Sequence, residues 1–376
     1  MEPKRSSSCL ADQEYPEKPT YAALLGVGKS GSDHVIIVKY DAESQFGSIP
    51  LSGRDGRLVS NGEVLVWQNS NGELEKVDFK DETTTPIGRF SKFCFTAQLA
   101  SVSDNRLLLI GLTDSGQLHI TVNTKDTDPT TSTSRIIASN ATSFCIASGH
   151  LIFTTGAHES LFAPLSDLPE LLAKDDEGTL LTKELPLSNW EKRRVERGSR
   201  IVVPVPSNMS LVLQMPRGNL ETINPRPLVL EFVRQDLNLG QYRKAFMSCR
   251  KHRVDLNFLV DHDQDAFLKG LPLFVEQVNE VDHINLLLTS VGRGTQPPEV
   301  INRLCDSLRE ELEKKDLKGY VNSILTAHAV KAPPDHEAGL SFLLRIRGNS
   351  HYLSSLFYWP LSTCAAADPS LVEDAV

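Results

Sequence analysis

The sequence predicts a strand-rich region followed by a helical region. Two observations support this prediction. Short apolar runs separated by Gly, Asn, Asp and Ser occupy the chain from about residue 20 to 222. From Arg226 onward the apolar residues recur with the period of an amphipathic helix, and turn signals become rare. This change of period is the clearest boundary in the chain, and it predicts β structure before it and α structure after it.

The first region predicts antiparallel hairpins. Val64–Trp67 and Leu74–Phe79 flank Asn71-Gly72, a pair that supplies the positive φ angles of a type I′ turn. Two further pairs of runs repeat this pattern: Leu107–Leu112 with Leu118–Val122, and Leu151–Thr155 with Ser160–Ala163. Because a propeller blade needs about forty to fifty residues, the region can hold about four blades, fewer than most closed rings. We therefore predict a partial WD40-like β-propeller.

The second region predicts amphipathic helices. Three sets of apolar residues recur on one helical face: Tyr242, Ala245, Phe246 and Cys249; Val300, Leu304, Leu308 and Leu312; Tyr320, Val321, Ile324, Leu325 and His328. Short breaks at Asp261–Asp263, Gly292–Gly294 and Ala332–Pro334 separate successive helices. The pattern predicts an irregular α-solenoid, an array of helical repeats in which each repeat contacts mainly its neighbours.

Two local features of the helical region carry specific expectations. Pro272 interrupts a helical pattern that runs from Phe267 to Val278, and a proline inside a helix is expected to kink it. Two pairs of residues are spaced for i,i+4 ion pairs on the solvent face: Glu310 with Lys314, and Glu311 with Lys315.

These patterns divide the chain into four predicted parts. We expect a disordered N-terminal segment over residues 1–20, the partial propeller over 21–222, the start of the solenoid over 223–347 and an atypical tail over 348–376. Asp368-Pro369-Ser370 in the tail is typical of a helix start, and the chain ends six residues after Ser370. An unspliced or truncated transcript is the expected origin of this tail.

Composition limits the class of protein. The chain is 40% hydrophobic and 23% charged, as expected for a globular protein, and its formal net charge of -9 argues against a dedicated nucleic-acid binder. No segment resembles a signal peptide or a bilayer-spanning helix, so we expect a cytoplasmic protein, with the nucleus as a second compartment, and no membrane partner. The six cysteines are scattered singly and predict reduced packing residues, not a zinc or redox motif.

Gly26–Ser30 contains the Gly-Lys-Ser triplet of a phosphate-binding loop. Ala23 stands where that motif requires its first glycine, and a strand-like run, Val35–Val38, follows in place of a helix. The segment therefore predicts a glycine-rich hairpin turn. A nucleotide hydrolase that uses Lys29 is the distant enzymatic alternative.

Two other segments contain residue types used in catalysis or metal binding. Asp114–Gly116 resembles a serine-nucleophile segment, but no positioned histidine can be identified, which predicts a strand turn. Asp261–Asp265 could ligate a metal, yet it lies between two helical patterns and predicts acidic N-caps. No residue is assigned a catalytic, cofactor-binding or metal-binding role.

A basic cluster precedes the change of period. Five cations lie within nine residues of an acidic chain: Lys192, Arg193, Arg194, Arg197 and Arg200. Glu191 and Glu196 interleave, and no aromatic residue accompanies the cluster for base stacking. We interpret the cluster as a solvated connection, with contact to an anionic partner as the alternative.

Six segments around the change of period carry a resemblance to a known family: Arg197–Val202, Leu211–Glu221, Tyr242–Phe246, Cys249–Asn257, Asp261-His262 and Val281–Leu286. They resemble the Elongator complex protein 1 family, also called IKAP. The resemblance covers about residues 195 to 330 and extends over the strand-rich region. It implies tandem N-terminal propellers followed by a long solenoid, with this chain beginning inside the second propeller and ending early in the solenoid.

The resemblance also implies a function. The chain is expected to be a non-catalytic scaffold, without a cofactor, in the complex that modifies the wobble uridine of tRNA. Its expected partners are the other Elongator subunits, including the radical-SAM acetyltransferase subunit and a WD-repeat subunit, with tRNA contacted only indirectly. The alternative is a propeller–solenoid adaptor of another complex, such as a vesicle coat.

Overall fold

The computed structural model of the protein describes residues 21–29, 31–39, 46–78, 81–102, 106–123, 134–172, 190–294 and 296–347. The expected disordered segment, 1–20, and the expected atypical tail, 348–376, lie outside the described residues. The chain folds as two compact units. One holds the described residues up to Pro204 together with Val212–Glu221, and the other holds Val205–Leu211 and the described residues from Thr222 onward.

Eighteen strands form five sheets in the described part of the chain. The first sheet contains β1 (Tyr21–Val27), β2 (Asp33–Lys39) and β3 (Phe46–Pro50). The second contains β4 (Arg57–Ser60), β5 (Leu65–Gln68), β6 (Glu73–Asp78) and β7 (Thr83–Arg89). The third contains β8 (Thr96–Val102), β9 (Arg106–Leu112), β10 (Leu118–Asn123) and β11 (Arg135–Ala138).

The fourth sheet contains β12 (Ala141–Ala147), β13 (His150–Thr155), β14 (Glu159–Pro164) and β15 (Glu191–Arg194). The fifth contains β16 (Arg200–Val205), β17 (Ser210–Gln214) and β18 (Leu220–Ile223). Within each sheet, strands that are consecutive in the chain lie side by side. The expectation of about four blades is therefore wrong by one sheet, because the first and last sheets have only three strands and need less sequence than a full blade.

Successive sheets share cores, and β9 shows how. Successive side chains of a strand point to opposite faces of its sheet, so the continuous apolar run of β9 supplies two cores. Leu107 and Leu109 belong to the core shared with the second sheet. Leu108 and Ile110 belong to the core shared with the fourth sheet, where Phe153 is buried. Small antiparallel sheets stacked face to face in chain order are typical of propeller blades, so the predicted propeller-like region is confirmed.

The turn between β5 and β6 differs from its predicted type. The Asn69 amide donates to the Glu73 carbonyl oxygen at 3.0 Å, and the Gly72 amide donates to the Asn69 carbonyl oxygen at 3.0 Å. Gly72 has a φ of +83°, whereas Asn71 has no positive φ. A type I′ turn needs positive φ at both central residues, so that prediction is wrong. The loop is instead the longer kind in which one glycine takes the left-handed conformation.

Nine α-helices follow the strands in the described part of the chain: α1 (Arg226–Asn238), α2 (Tyr242–His252), α3 (Asn257–Asp261), α4 (Gln264–Lys269), α5 (Leu271–Gln277), α6 (Val281–Arg293), α7 (Pro298–Asp316), α8 (Val321–Val330) and α9 (His336–Arg347). The predicted fold class, strands followed by a helical array, is confirmed. None of these helices is long and apolar enough to cross a membrane, within the residues described.

The helical unit has one continuous apolar core, and four aromatic rings from three helices meet in it. The Phe246 and Phe274 rings are 6.5 Å apart between centroids, and those of Phe267 and Phe274 are 5.4 Å apart. The Tyr242 ring lies 5.7 Å from Phe267 in an edge-to-face arrangement. These rings join α2, α4 and α5, so the apolar face predicted for α2 is the face that packs inward.

Pro272 does not kink a helix. The helical pattern from Phe267 to Val278 is divided at Gly270 into α4 and α5, and Pro272 lies in the first turn of α5. The first amide groups of a helix have no partner within that helix, so a proline is tolerated there. The prediction of a kink is wrong because the sequence pattern covered two helices.

The predicted i,i+4 ion pairs on α7 are also wrong. The Lys314 ammonium contacts Glu311 at 2.7 Å, which is an i,i+3 pair and not the predicted pair with Glu310. The Lys315 ammonium donates to the Val275 carbonyl oxygen at 2.7 Å, which links α7 to α5. Sequence spacing showed that these pairs were possible, but packing against a neighbouring helix gave Lys315 another acceptor.

Candidate interaction surfaces

The Gly26–Ser30 segment is a hairpin connection between β1 and β2. The Gly28 amide donates to the Ser32 carbonyl oxygen at 2.8 Å, and the Gly31 amide donates to the Gly28 carbonyl oxygen at 2.9 Å. Lys29 is exposed, and Ser30 lies outside the described residues. A phosphate-binding loop places its amides at the start of a helix, whereas a strand follows here. The predicted hairpin turn is confirmed.

Asp114–Gly116 is the turn between β9 and β10. Gly116 has a φ of +79°, and its amide donates to the Thr113 carbonyl oxygen at 3.1 Å. The Ser115 hydroxyl lies 3.0 Å from the Thr113 hydroxyl, a local contact within the turn. A nucleophilic serine needs a general base within hydrogen-bonding distance. The predicted strand turn is confirmed.

The acidic segment Asp261–Asp265 joins α3 to α4. Asp263 is the N-cap of α4, and its carboxylate accepts from the Ala266 amide at 2.9 Å, which confirms the predicted cap. His262 contacts the Asn238 side chain at 2.9 Å, so its ring is directed to α1. No group of three or more potential metal ligands occurs among the residues that the structure describes.

The basic cluster begins on β15, at the edge of the fourth sheet, and ends at Arg200, the first residue of β16. β15 is the outermost strand and pairs with β14, with Lys192 opposite Leu161 and Arg194 opposite Glu159. The five basic residues are all exposed: Lys192, Arg193, Arg194, Arg197 and Arg200. None of them forms an ion pair with another described residue. The structure therefore places all five cations at exposed positions within one segment of nine residues.

Two physical roles fit this segment. Charged side chains on an edge strand prevent its free amide and carbonyl groups from pairing with another chain, which explains the composition of β15. Lys192 also lines a cleft of about 310 Å³ between the third and fourth sheets, beside Phe153, Leu161 and Glu159. Only Lys192 of the five cations lines this cleft.

A charged network between α2 and α6 has no counterpart among the predicted sites. The Arg243 guanidinium contacts the Glu280 carboxylate at 3.1 Å, and the second oxygen of Glu280 lies 3.3 Å from His283 Nδ1. His283 Nε2 contacts the Arg250 guanidinium. Because arginine only donates hydrogen bonds, Nε2 must accept, which assigns the proton of a neutral His283 to Nδ1. The i,i+3 spacing of Glu280 and His283 was the feature of the sequence that could have indicated this network.

The buried cysteines have thiols of low reactivity. Four are buried and free: Cys94, Cys145, Cys249 and Cys305. Burial raises the pKa of each thiol to about 12. Nucleophilic attack and metal ligation need the thiolate, which such burial disfavours. The prediction that these four are reduced packing residues agrees with their positions in the apolar cores.

Comparisons with known proteins identify the two regions. The family model described as ELP1 N-terminal second beta-propeller matches residues 56–202. The family model described as ELP1 alpha-solenoid matches residues 226–295. The two models occur in the order of the strands and helices described above, and each matches the fold of its own region.

Individual relatives agree with the family models. Elongator complex protein 1 of Oryctolagus cuniculus is 32% identical over 362 residues, which are 91% of this chain and 25% of the relative. Elongator complex protein 1 of Schizosaccharomyces pombe is 33% identical over 345 residues, 85% of this chain and 26% of the relative. The putative elongator complex protein 1 of Xenopus laevis is 30% identical over 388 residues, 93% of this chain and 31% of the relative.

The chain spans about a quarter of the length of the first two of these relatives. The matched length includes both regions, because it covers most of this chain. The resemblance predicted from the residues around the change of period is confirmed. The chain belongs to the Elongator complex protein 1 family, whose second-propeller and α-solenoid models match residues 56–202 and 226–295.

Proposed function

We propose that the chain is an interaction scaffold of the Elongator complex and supports modification of the tRNA wobble uridine without contributing a catalytic group. The observation that carries the proposal is the presence of both ELP1 domains, in order, in one chain. Propellers and helical solenoids present extended surfaces to several partners at once. The segments with residue types used in catalysis are turns or helix caps, which supports a role without chemistry of its own.

The proposed partners are the other Elongator subunits, including the radical-SAM acetyltransferase subunit and a WD-repeat subunit. In this proposal tRNA is contacted only indirectly, since the chain has a formal net charge of -9 that repels a polyanion at long range. The proposed compartment is the cytoplasm, with the nucleus as the second.

Removal of the gene in the cells that express this chain tests the proposal. We expect the modified wobble nucleosides, quantified by mass spectrometry of purified tRNA, to fall and to return when the 376-residue chain is expressed again. Rescue by the Lys29→Ala variant should equal rescue by the native chain, because Lys29 lies in an exposed hairpin turn. Unchanged nucleosides after removal would contradict the scaffold role, and failed rescue by folded Lys29→Ala would contradict the absence of catalysis.

We also propose that the basic cluster contacts an anionic surface of a partner subunit. The support is the exposure of all five cations and the lack of ion pairs to them from the described residues. Arg193→Glu with Arg194→Glu should weaken copurification of that subunit. Arg89→Glu with Arg106→Glu is the matched control, because both arginines are exposed on the same unit and the change of charge is equal. Equal capture by the two double variants would refute this contact.

A further inference from the structure

Helix α2 divides its residues sharply between two faces. Its buried face consists of apolar or aromatic residues: Tyr242, Ala245, Phe246 and Cys249. Its exposed face consists of four cations and one methionine: Arg243, Lys244, Met247, Arg250 and Lys251. The helix contains no acidic residue, and exposed Arg253 follows directly after it. A solvated helix face normally mixes both signs of charge, so this one is unusual in an acidic chain.

Most of these cations lack a carboxylate partner. Arg243 is paired with Glu280 at 3.1 Å. Lys244 donates to the amide oxygen of Gln241 and forms no ion pair with a described residue, although its charge acts on the Asp236 carboxylate. Arg250 contacts the imidazole of His283. Lys251 and Arg253 form no ion pair with any residue that the structure describes. Four cations of this surface, Lys244, Arg250, Lys251 and Arg253, therefore form no ion pair within the described part of the chain.

Helix electrostatics explains only part of the pattern. Cations in the last turn of a helix interact favourably with its macrodipole, which accounts for Arg250 and Lys251. Lys244 lies in the first turn, where the helix end is itself positive and a cation is unfavourable. Lys244 and Lys251 are seven residues apart, which places them about 10.5 Å apart along one side of the helix. The row of charge thus extends over two helical turns.

We propose that the exposed face of α2 docks an acidic helical segment of a partner protein. Acidic side chains of that segment would meet Lys244, Arg250, Lys251 and Arg253, and an apolar side chain would cover Met247, which is 41% exposed at the centre of the face. The phosphates of a nucleic acid would gain no favourable contact from an apolar side chain at the centre of the face. The aromatic rings of α2 that could stack on bases, those of Tyr242 and Phe246, are buried. The surface therefore fits a protein helix better than a nucleic acid.

This inference goes beyond the proposed function, because it concerns the chemistry of a contact whichever complex supplies it. The test uses the complete 376-residue chain and three labelled probes in fluorescence anisotropy. The first is a designed helical peptide of about three heptads, with glutamates on its flanks and a leucine stripe. The second has every glutamate replaced by glutamine, and the third is a single-stranded RNA of equal length.

The native chain should bind the acidic peptide and not the glutamine peptide. Lys244→Glu with Lys251→Glu should weaken binding by about tenfold or more, because each change removes an attraction and adds a repulsion. Lys269→Glu with Arg293→Glu is the matched control, since both residues are exposed in the same unit without ion pairs to described residues, and it should change binding less than about twofold. Met247→Ser should weaken binding without any change of charge.

Three outcomes would overturn the inference. The first is no binding of the acidic peptide, and the second is equal weakening of binding by the two double variants. The third is binding of the RNA, if Lys244→Glu with Lys251→Glu abolishes that binding and Met247→Ser leaves it intact. The last outcome would identify a phosphate polyanion as the ligand. Superimposable far-ultraviolet circular dichroism spectra of all variants are required, so that a loss of binding reports the surface and not the fold.

Discussion

Replacement of Phe246 by alanine tests whether the aromatic cluster holds the helical unit together. Phe246 is 0% exposed, and its ring lies 6.5 Å from Phe274 and 5.1 Å from His283 between centroids. A buried Phe→Ala change costs about 3–5 kcal/mol, from lost apolar burial and the cavity left behind. The ring–ring contact accounts for about 0.5–1.5 kcal/mol of this. We therefore expect Phe246→Ala to reduce the free energy of unfolding of the helical unit by about 3–5 kcal/mol.

Denaturant unfolding followed by far-ultraviolet circular dichroism measures this loss, because the helices supply most of that signal. Leu239→Ala is the control: Leu239 is 71% exposed at the end of α1, so its truncation should change stability by less than about 0.5 kcal/mol. A loss below about 1 kcal/mol for Phe246→Ala, or equal losses for the two variants, would refute the packing described for α2 and α5.

Three further predictions concern other parts of the fold. Gly292→Ala should lower the melting temperature, because the added Cβ would lie 2.7 Å from Val330 Cγ1. Overpacking of this kind costs about 1–3 kcal/mol. An unchanged melting temperature would contradict the close approach of α6 and α8. Asp263→Ala should cost about 1 kcal/mol in denaturant unfolding by removing the α4 cap, whereas Asp263→Asn keeps the acceptor and should cost little; equal losses would argue against capping. The buried thiols, with pKa values raised from 9.0 to about 12, should resist alkylation until the chain unfolds. The folded state favours the protonated thiols, so their contribution to stability is complete below pH 9 and is lost as the pH rises towards 12. Unfolding measured as a function of pH would show this loss. Rapid alkylation of the folded chain at Cys94 or Cys145 would contradict the protection of these thiols.

The order of the two folds could be predicted from the sequence because hydrophobic period is a local property. Leu107–Leu112 is apolar throughout, and such a run is expected of a strand buried on both faces. The apolar stripe of α2 was predicted residue by residue for the same reason. Both patterns follow from the direction in which consecutive side chains point, which does not depend on distant residues.

Features that depend on neighbouring elements could not be predicted. The number of sheets was underestimated because the strand count per sheet depends on which strands pair, and in the described part of the chain the first and last sheets each contain three strands. The acceptor of Lys315 lies on α5, so no spacing within α7 could identify it. The same holds for the contact of Arg250 with His283, residues that only the packing of α2 against α6 brings together.

The candidate sites divide in the same way. The positions of turns and caps were predictable, although the turn type at Asn71-Gly72 was not, because Gly116 and Asp263 form hydrogen bonds with backbone groups only a few residues away. The basic cluster was visible in the sequence, but its position on an edge strand depends on the pairing of β15 with β14. The basic face of α2 was not singled out, because its significance depends on which of its cations lack a carboxylate after packing.

Capture of the tagged 376-residue chain from the cells that express it, followed by quantitative mass spectrometry, tests the scaffold role most directly. The chain should copurify with the other Elongator subunits, the acetyltransferase subunit among them, in fixed proportion over repeated preparations. The Phe246→Ala variant should lose them in step with its loss of helical structure, because partner surfaces on the solenoid require the folded helical unit. Capture of vesicle-coat subunits without any Elongator subunit would contradict the account.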